Sequence, residues 1–525
     1  MSESWVPAEH GTDSGGLQRR VARGLSWTMV DIWGRQAVNL VIFVLLARLL
    51  VPEDFGLVAL ASVFVLFAQI IVDQGLGDAL IQRREVTRAH MDTAFWVAVA
   101  TGSLLTIAGL VLALPIADIL NEPDLAPILQ VLSLTFVMSA INSIQIALLR
   151  RELAFRSLAI RSLVAAAGGG AVGVTLALLG YGAWALVGQL LASAFLSVVT
   201  LWRVSPWRPS LHASREHFGE LFRFGINVMG TDVLNYLSRN MDNLLIGTFL
   251  GTGPLGLYAV GYRILEVSQT ALVQVARKVT FPAFSRLQLD HERMRRAYFR
   301  VTRAASVVIL PGYVALALVA PELTVTLFGA RWAESGEVAR ILFLIGPVLS
   351  LQAFSFALLN AAGHPNISLR FRVLTTAVNV AGFVIAVQTG SIQAVAWAFV
   401  IRGYLLLPLN LYWMKVYAEI PILEYLRQLR GIAAATVVMA AALLVVKLAL
   451  GDSVPPAALL AVELGTAAVV LLLSLAVFER QLLREEFEIL GQAIPPLARV
   501  GRRLSRNPKA AGVDAGSPGA TGDEG

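Results

Sequence analysis

The chain is poor in charged and reactive side chains. Of its 525 residues none is cysteine, which excludes a disulfide framework, a thiolate metal site and a cysteine nucleophile. The six histidines are scattered without the spacing of metal ligands. Charged residues make up 15% of the chain and hydrophobic residues 57%, whereas soluble domains carry about 25% charged residues. Because a surface that faces water needs more charge than this, the composition predicts a membrane protein.

Several other classes of function lack their signatures. No glycine-rich phosphate loop is present, so we expect no use of ATP. The predicted outer loops are too short for the catalytic segment of a membrane-embedded glycosyltransferase or ligase. The net charge of +7 is spread between apolar segments instead of forming one patch, so no nucleic-acid partner is expected. We therefore predict a protein that is no enzyme, with no metal site and no cofactor, apart from coupling to H⁺ or Na⁺.

Long apolar segments predict an all-α polytopic membrane protein with about 14 transmembrane helices. A helix needs about 20 residues to cross the hydrocarbon core, and segments of this size recur along the whole chain. These spans, numbered in chain order, lie at 25–50, 55–76, 93–117, 127–149, 158–179, 182–202, 222–250, 254–281, 298–320, 337–361, 367–388, 391–413, 431–450 and 457–478.

The loop charges predict the orientation. Arginines follow every second span, as Arg150 and Arg151 do after span four, while the intervening loops are short or acidic. The exception is Arg331, after span nine. Since cytoplasmic loops carry the excess of basic residues, both termini are predicted to be cytoplasmic.

An internal repeat divides the chain. At an offset of about 200 residues, the set Leu45, Gly56, Leu57, Gln69 and Gln74 matches Leu245, Gly256, Leu257, Gln269 and Gln274. Spans one to six thus recur as spans seven to twelve in the same orientation. This pattern predicts two six-helix bundles related by pseudo-twofold symmetry, plus a C-terminal helix pair, which is a transporter plan.

The predicted domains follow from the repeat and from composition. They are a disordered cytoplasmic N-terminus at 1–16, an N-terminal bundle at 17–217, a C-terminal bundle at 218–418, an extra transmembrane pair with a preceding amphipathic segment at 419–480, and a cytoplasmic amphipathic segment with a disordered tail at 481–525.

Polar side chains inside the spans mark the candidate site, because ionisable groups in a membrane are costly. They lie in spans one, seven and eight. The set is Asp31, Arg35, Asn235, Arg239, Asp242, Asn243, Arg263 and Glu266. Acids and arginines three or four residues apart either neutralise each other or line a polar cavity, and we favour the cavity. Span twelve carries a further arginine, Arg402.

Four segments resemble the polysaccharide-exporter branch of the MOP (multidrug/oligosaccharidyl-lipid/polysaccharide) superfamily. They lie at 24–27, 47–57, 73–82 and 236–247. The likeness is closest to colanic-acid-type exporters of lipopolysaccharide biosynthesis. It implies a Wzx-type flippase in the bacterial cytoplasmic (inner) membrane, which moves an undecaprenyl-pyrophosphate-linked oligosaccharide outward by alternating access for surface polysaccharide or exopolysaccharide synthesis.

The resemblance also suggests roles for the polar residues. Arg35, Arg239 and Arg263 are candidates for binding the headgroup, because guanidinium groups donate in a planar, always-charged fork to phosphate. The amides of Asn235 and Asn243 suit sugar hydroxyls. These five residues form the predicted binding set.

Asp31, Asp242 and Glu266 are predicted to orient the arginines or to couple transport to an ion. The expected partners are the lipid-linked oligosaccharide and membrane lipids, with a polysaccharide polymerase and other assembly proteins as candidates. Two alternatives in the superfamily stay open. A lipid II-type flippase also has fourteen spans and a cationic cavity, whereas a cation-coupled multidrug exporter typically has twelve spans and acidic residues.

Overall fold

The computed structural model describes residues 26–73, 76–83, 86–211, 214–270, 272, 291–451 and 453–480. Almost all of this part is helical, so the predicted all-α polytopic architecture is confirmed. The helices are α1 Ser26–Leu49, α2 Pro52–Asp73, α3 Leu76–Gln82, α4 Arg88–Leu120, α5 Leu125–Arg151, α6 Phe155–Leu178, α7 Ala183–Val204, α8 Arg215–Leu250, α9 Thr252–Gln269, α10 His291–Phe328, α11 Ala330–Ala361, α12 Pro365–Val387, α13 Ile392–Tyr417, α14 Ile422–Leu450 and α15 Pro456–Phe478.

Twelve of the described helices are long and apolar enough to cross a membrane, all of them except α3, α8 and α9. Helix α8 has 36 residues, so its length suffices. Its polar side chains make it less apolar than the twelve. Helix α9 is described over only 18 residues. These two helices correspond to predicted spans seven and eight, which carry most of the candidate site. The count of about 14 therefore stays a prediction.

From residue 422 the predicted amphipathic segment is helical and continuous with span thirteen. Helix α14 runs without a break from Ile422 to Leu450. Tyr425, in the predicted amphipathic segment, is buried and donates a hydrogen bond to the carbonyl of Leu351 at 3.0 Å. These first turns thus pack against α11. The predicted amphipathic segment after residue 480 and the N-terminal 16 residues lie outside the described part.

Neighbouring helices pack as pairs within each bundle. In the first bundle α4 packs on α5 and α6 on α7, and in the second α10 packs on α11 and α12 on α13. The pair α14 and α15 packs against α10. The two bundles meet chiefly where α2 packs on α9, the helices whose sequences repeat.

Two glycines form a close backbone contact between the bundles. A Cβ added to Gly56 would lie 1.7 Å from the carbonyl oxygen of Thr252, and one added to Gly256 would lie 1.8 Å from that of Pro52. No side chain fits at these distances, so glycine is required where the backbones touch. Each glycine meets the first residue of the other's helix. Such reciprocity is what a pseudo-twofold axis between the repeats requires.

Three long side chains close the same end by donating hydrogen bonds to backbone carbonyls across the bundle interface. They are Arg48 to Leu327 at 2.7 Å, Arg331 to Leu50 at 3.0 Å and Trp332 to Ala47 at 2.7 Å. The α1–α2 and α8–α9 turns lie at this end, which we call the sealed end. Arg331, the exception to the loop-charge pattern, is thus part of this closure.

Candidate functional site

A polar cavity of about 300 Å³ lies between the bundles. Its walls come from α1, α8, α9 and α13. The lining residues are Gln36, Arg239, Tyr262, Arg263, Glu266, Val267, Gln269, Thr270, Phe399 and Arg402. We call it the arginine cavity. Only Gln36 belongs to the first bundle, so the second bundle supplies nearly the whole wall.

The cavity is cationic. Its lining holds three arginines and one glutamate, which leaves two positive charges in excess. Charge inside a membrane is expensive unless a partner or water compensates it. Guanidinium groups keep their charge and offer several donors in one plane, which matches phosphate and carboxylate oxygens. The arrangement therefore favours an anionic ligand.

Arg263 and Glu266 form an ion pair on α9. Nη1 of Arg263 lies 2.9 Å from Oε2 of Glu266, one helical turn away. Both side chains remain accessible, at 41% and 43% exposure. The carboxylate holds the guanidinium at the cavity wall, while the accessible faces of both groups are open to a ligand.

Arg239 and Asp242 lie apart although they are neighbours on α8. Asp242 is 1% exposed and accepts hydrogen bonds from the Tyr258 hydroxyl at 2.8 Å and the Asn243 N–H at 2.9 Å. It therefore joins α8 to α9 beside the cavity instead of lining it. Arg239 is exposed at the cavity. Among the described residues, no ion pair between Arg239 and Asp242 occurs.

Asp31 and Arg35 lie in a different cluster, at the contact of α1 with α6. Asp31 accepts a hydrogen bond from the hydroxyl of Ser162, and Nε of Arg35 lies 4.0 Å from the Asp31 carboxylate. Arg161, next along α6, donates to the hydroxyl of Ser197 at 3.3 Å. The cluster connects helices within the first bundle. From α1 the cavity receives Gln36 instead of Arg35.

Of the two predicted amides, Asn243 is not among the described residues that line the cavity. The side chain of Asn235 lies outside the described residues. Asn243 is partly buried, and in the described part its Oδ1 has no hydrogen-bond donor. The structure thus brings Arg239, Arg263 and Glu266 together, and these three form the part of the predicted set that lines one cavity.

Arg402 was not among the predicted site residues, yet it lines the cavity from α13. Its guanidinium lies over the ring of Phe399, 4.6 Å from the centroid. Within the described residues, its buried Nε–H has no hydrogen-bond acceptor. A signal existed in the sequence, because Arg402 has no acidic residue three or four positions away. An intramembrane arginine without a local partner needs one from elsewhere.

The described residues hold no group of three or more His, Asp and Glu side chains that could bind a metal ion. The cavity lining offers guanidinium, carboxylate, amide, hydroxyl and aromatic groups. A comparison with known protein families gives one match, described as "Polysaccharide biosynthesis protein", over residues 45–337. The chain belongs to this polysaccharide biosynthesis family. The matched region includes the sealed end and both α8 and α9.

Curated relatives agree with the family and confirm the resemblance to MOP polysaccharide exporters. The chain is 28% identical over 387 residues to the succinoglycan biosynthesis transport protein ExoT of Rhizobium meliloti (strain 1021), covering 73% of this chain and 78% of that one. It is 27% identical to the lipopolysaccharide biosynthesis protein WzxC of Escherichia coli (strain K12), covering 73% and 79%. The teichuronic acid biosynthesis protein TuaB of Bacillus subtilis (strain 168) is 25% identical, covering 73% and 80%.

Solved structures share the fold of this family member. The lipid II flippase MurJ in an inward closed conformation aligns with a TM-score of 0.73 at 14% identity, covering 87% of this chain and 100% of that one. An inward-facing multidrug resistance MATE family transporter of the MOP superfamily aligns with a TM-score of 0.58 at 18% identity, covering 73% and 94%. At these identities the comparison establishes the common architecture of a multi-pass membrane protein.

Proposed function

We propose that this protein translocates an undecaprenyl-pyrophosphate-linked oligosaccharide from the cytoplasmic to the outer leaflet of the bacterial inner membrane, by alternating access and without catalysis. The observation that carries the proposal is the arginine cavity, which lies between two repeated bundles that close at one end. A cationic chamber inside a membrane serves a ligand that brings negative charge into it.

The headgroup chemistry matches the cavity wall. Each phosphate of a diphosphate carries a negative charge, and the wall has two positive charges in excess. Arg239, Arg263 and Arg402 would donate charge-assisted hydrogen bonds to the phosphate oxygens. Gln36 and Gln269 would bind sugar hydroxyls through their amides. This lining disfavours the cationic drugs of a multidrug exporter, because three arginines repel them.

The names of the relatives support a surface polysaccharide as the class of cargo. They are succinoglycan, lipopolysaccharide and teichuronic acid biosynthesis proteins. These polymers differ chemically, so the similarity supports the class and not a particular glycan. A lipid II-type flippase is the second candidate, since the MurJ fold aligns over the whole of that protein.

The loop charges suggest which conformation is present. With both termini in the cytoplasm, as the positive-inside rule predicts, the sealed end faces the outside. The arginine cavity then belongs to an inward-facing state, ready to load from the cytoplasmic leaflet. Glu266, the one carboxylate of the cavity wall, is our candidate for coupling to H⁺ or Na⁺.

The proposal is tested by measuring lipid-linked oligosaccharide on the cytoplasmic side of cells depleted of the protein. Arg239→Ala is the test variant and Arg35→Ala the matched control, because both remove an arginine from equivalent helices of the repeat. We expect intermediates to accumulate, the control to rescue and Arg239→Ala to fail at a normal membrane level.

Two outcomes would count against the proposal. If depletion causes no accumulation and the cells instead become sensitive to cationic dyes, the protein is a drug exporter. If lipid II accumulates and no other lipid-linked intermediate does, the second candidate replaces the first.

A further inference from the structure

A second depression, separate from the arginine cavity, lies between α12 and α13. It is an apolar groove of about 620 Å³. Ala381, Gly382 and Ala398 keep it open because their side chains are small, and a Cβ on Gly382 would lie 3.7 Å from that of Ala398. At the rim Ile385 and Ile401 are 69% and 58% exposed, as expected for side chains that face hydrocarbon.

Arg402 connects the groove to the arginine cavity. It lines both of them, and it is the one charged residue in the groove wall. Its guanidinium is held over Phe399, and among the described residues its Nε–H has no acceptor. The wall of the apolar groove therefore contains one cation, and the same cation also lines the polar arginine cavity.

The position of the groove along the membrane normal indicates an orientation for its occupant. Arg402 lies ten residues after Ile392, the first residue of α13, which is about 15 Å along a helix and about half of the hydrocarbon thickness. Leu405 lies one turn beyond Arg402, and the other α13 residues of the groove lie between Arg402 and the α12–α13 turn, on the side of the sealed end. Most of the groove thus lies in the half of the membrane that the loop charges assign to the outside.

We propose that this groove binds the polyprenyl chain of the substrate while Arg402 holds the first phosphate and the sugars lie in the arginine cavity. The inference rests on the proposed function and adds the site of the lipid tail. A lipid bound this way has its headgroup on the cytoplasmic side of its chain, which is its orientation in the cytoplasmic leaflet. The groove therefore serves the loading step.

Charge complementarity selects this occupant. A chain with an anionic group at its end uses both the apolar walls and the cation. An ordinary phospholipid would also fill the walls, but its phosphate belongs at the membrane surface, about 15 Å from Arg402. Inorganic phosphate would use Arg402 without the walls. The probe that separates these cases is undecaprenyl phosphate.

The chain has no native cysteine, so one introduced cysteine can carry a photoreactive group. We would attach benzophenone to Ile385→Cys in the groove and, as a matched control, to Val445→Cys on α14, which is 65% exposed. Purified full-length protein in phospholipid nanodiscs is irradiated with deuterium-labelled undecaprenyl phosphate. Adducts are then measured by mass spectrometry.

We expect an undecaprenyl phosphate adduct at position 385 but not at 445. Excess unlabelled undecaprenyl phosphate should displace it, and excess phosphatidylglycerol or inorganic phosphate should not. Arg402→Gln should reduce the adduct by about tenfold, because it removes charge-assisted hydrogen bonds to the phosphate. Gly382→Leu should reduce it similarly by filling the groove, with the chain still folded because that side chain enters lipid-facing space.

Three results would overturn the inference: equal adducts at 385 and 445, displacement by phosphatidylglycerol, or full binding by both Arg402→Gln and Gly382→Leu. In these cases the depletion experiment still decides the proposed function by itself. If depletion instead shows no lipid-linked intermediate while the adduct at 385 is specific, the groove binds polyprenyl lipid but the flippase proposal is wrong.

Discussion

Helices α1 and α2 occupy the same place in the first repeat as α8 and α9 do in the second, yet the two pairs differ in their polar side chains. At the sealed end the pairs are alike, since Gly56 and Gly256 make reciprocal backbone contacts. Deeper in the membrane, α8 and α9 give Arg239 and Arg263 to the cavity, whereas α1 gives only Gln36. The glycine contact thus follows the repeat symmetry, whereas the cavity lining does not.

The difference has a physical basis. Two surfaces related by a twofold axis fit each other through matching backbone contacts, so a seal favours identical residues on both sides. A headgroup that joins phosphate to sugar has no twofold symmetry. A site that binds such a headgroup therefore does not require matching residues from the two repeats. The charges of α1 instead stabilise the first bundle, where Asp31 accepts a hydrogen bond from Ser162.

The largest effect is expected at the symmetric contact. Gly256→Ala places a Cβ 1.8 Å from the carbonyl oxygen of Pro52, so the bundles must separate. Overpacking costs about 1–3 kcal/mol. This cost would lower the ratio of molecules with a closed sealed end to molecules with an open one by about 5- to 150-fold. The open population is measured by labelling Gln36→Cys in the cavity with an impermeant maleimide added outside. The labelling rate should rise strongly in Gly256→Ala.

The matched control for that variant is Gly465→Ala, since a Cβ there meets no atom within 4 Å. Gly56→Ala should behave as Gly256→Ala does. If only one of the two glycine variants opens the sealed end, the contact is not symmetric in function.

The second-largest effect is a loss of export that should differ between arginine variants of the two repeats. Arg263→Ala removes charge-assisted hydrogen bonds to a ligand, worth about 1.5–3 kcal/mol, so export should fall by about tenfold or more. Arg35→Ala breaks only a pair that is 4.0 Å long and half exposed, and export should stay within about threefold. Export rates at equal membrane levels test this. Equal losses would mean that both repeats bind the cargo.

A smaller effect is expected from Trp332→Phe. The variant keeps an aromatic ring near Phe55, whose ring centroid is 5.3 Å away, but loses the hydrogen bond to the Ala47 carbonyl. Such a bond contributes about 0.5–1.5 kcal/mol, so outside labelling of Gln36→Cys should rise about 2- to 12-fold. Trp184→Phe, at an exposed position of α7, is the control. Unchanged labelling would exclude Trp332 from the closure.

The smallest effect should arise at Ser162→Ala. It removes the hydrogen bond from the Ser162 hydroxyl to Asp31, which should lower the free energy of unfolding by about 1 kcal/mol. Outside labelling should not change, because the cluster lies within the first bundle. Thermal unfolding in detergent checks the stability. A clear rise in labelling would show that α1 and α6 take part in opening.

The sequence alone determined the features that depend on local composition. Apolar segments predicted the all-α membrane fold, and the offset of about 200 residues predicted the two bundles. It also paired Gly56 with Gly256, the residues that prove to be in reciprocal contact. These predictions hold because the length and hydropathy of a span are properties of the segment itself.

Only the tertiary structure decided which polar side chains share a cavity. Asp242 and Arg239 are three residues apart, but Tyr258 on α9 binds the acid and leaves the arginine at the cavity. Arg402, more than 130 residues farther along the chain, joins Arg263 there. Spacing along one helix shows which residues share a face, but the neighbour of that face depends on how helices from distant segments pack.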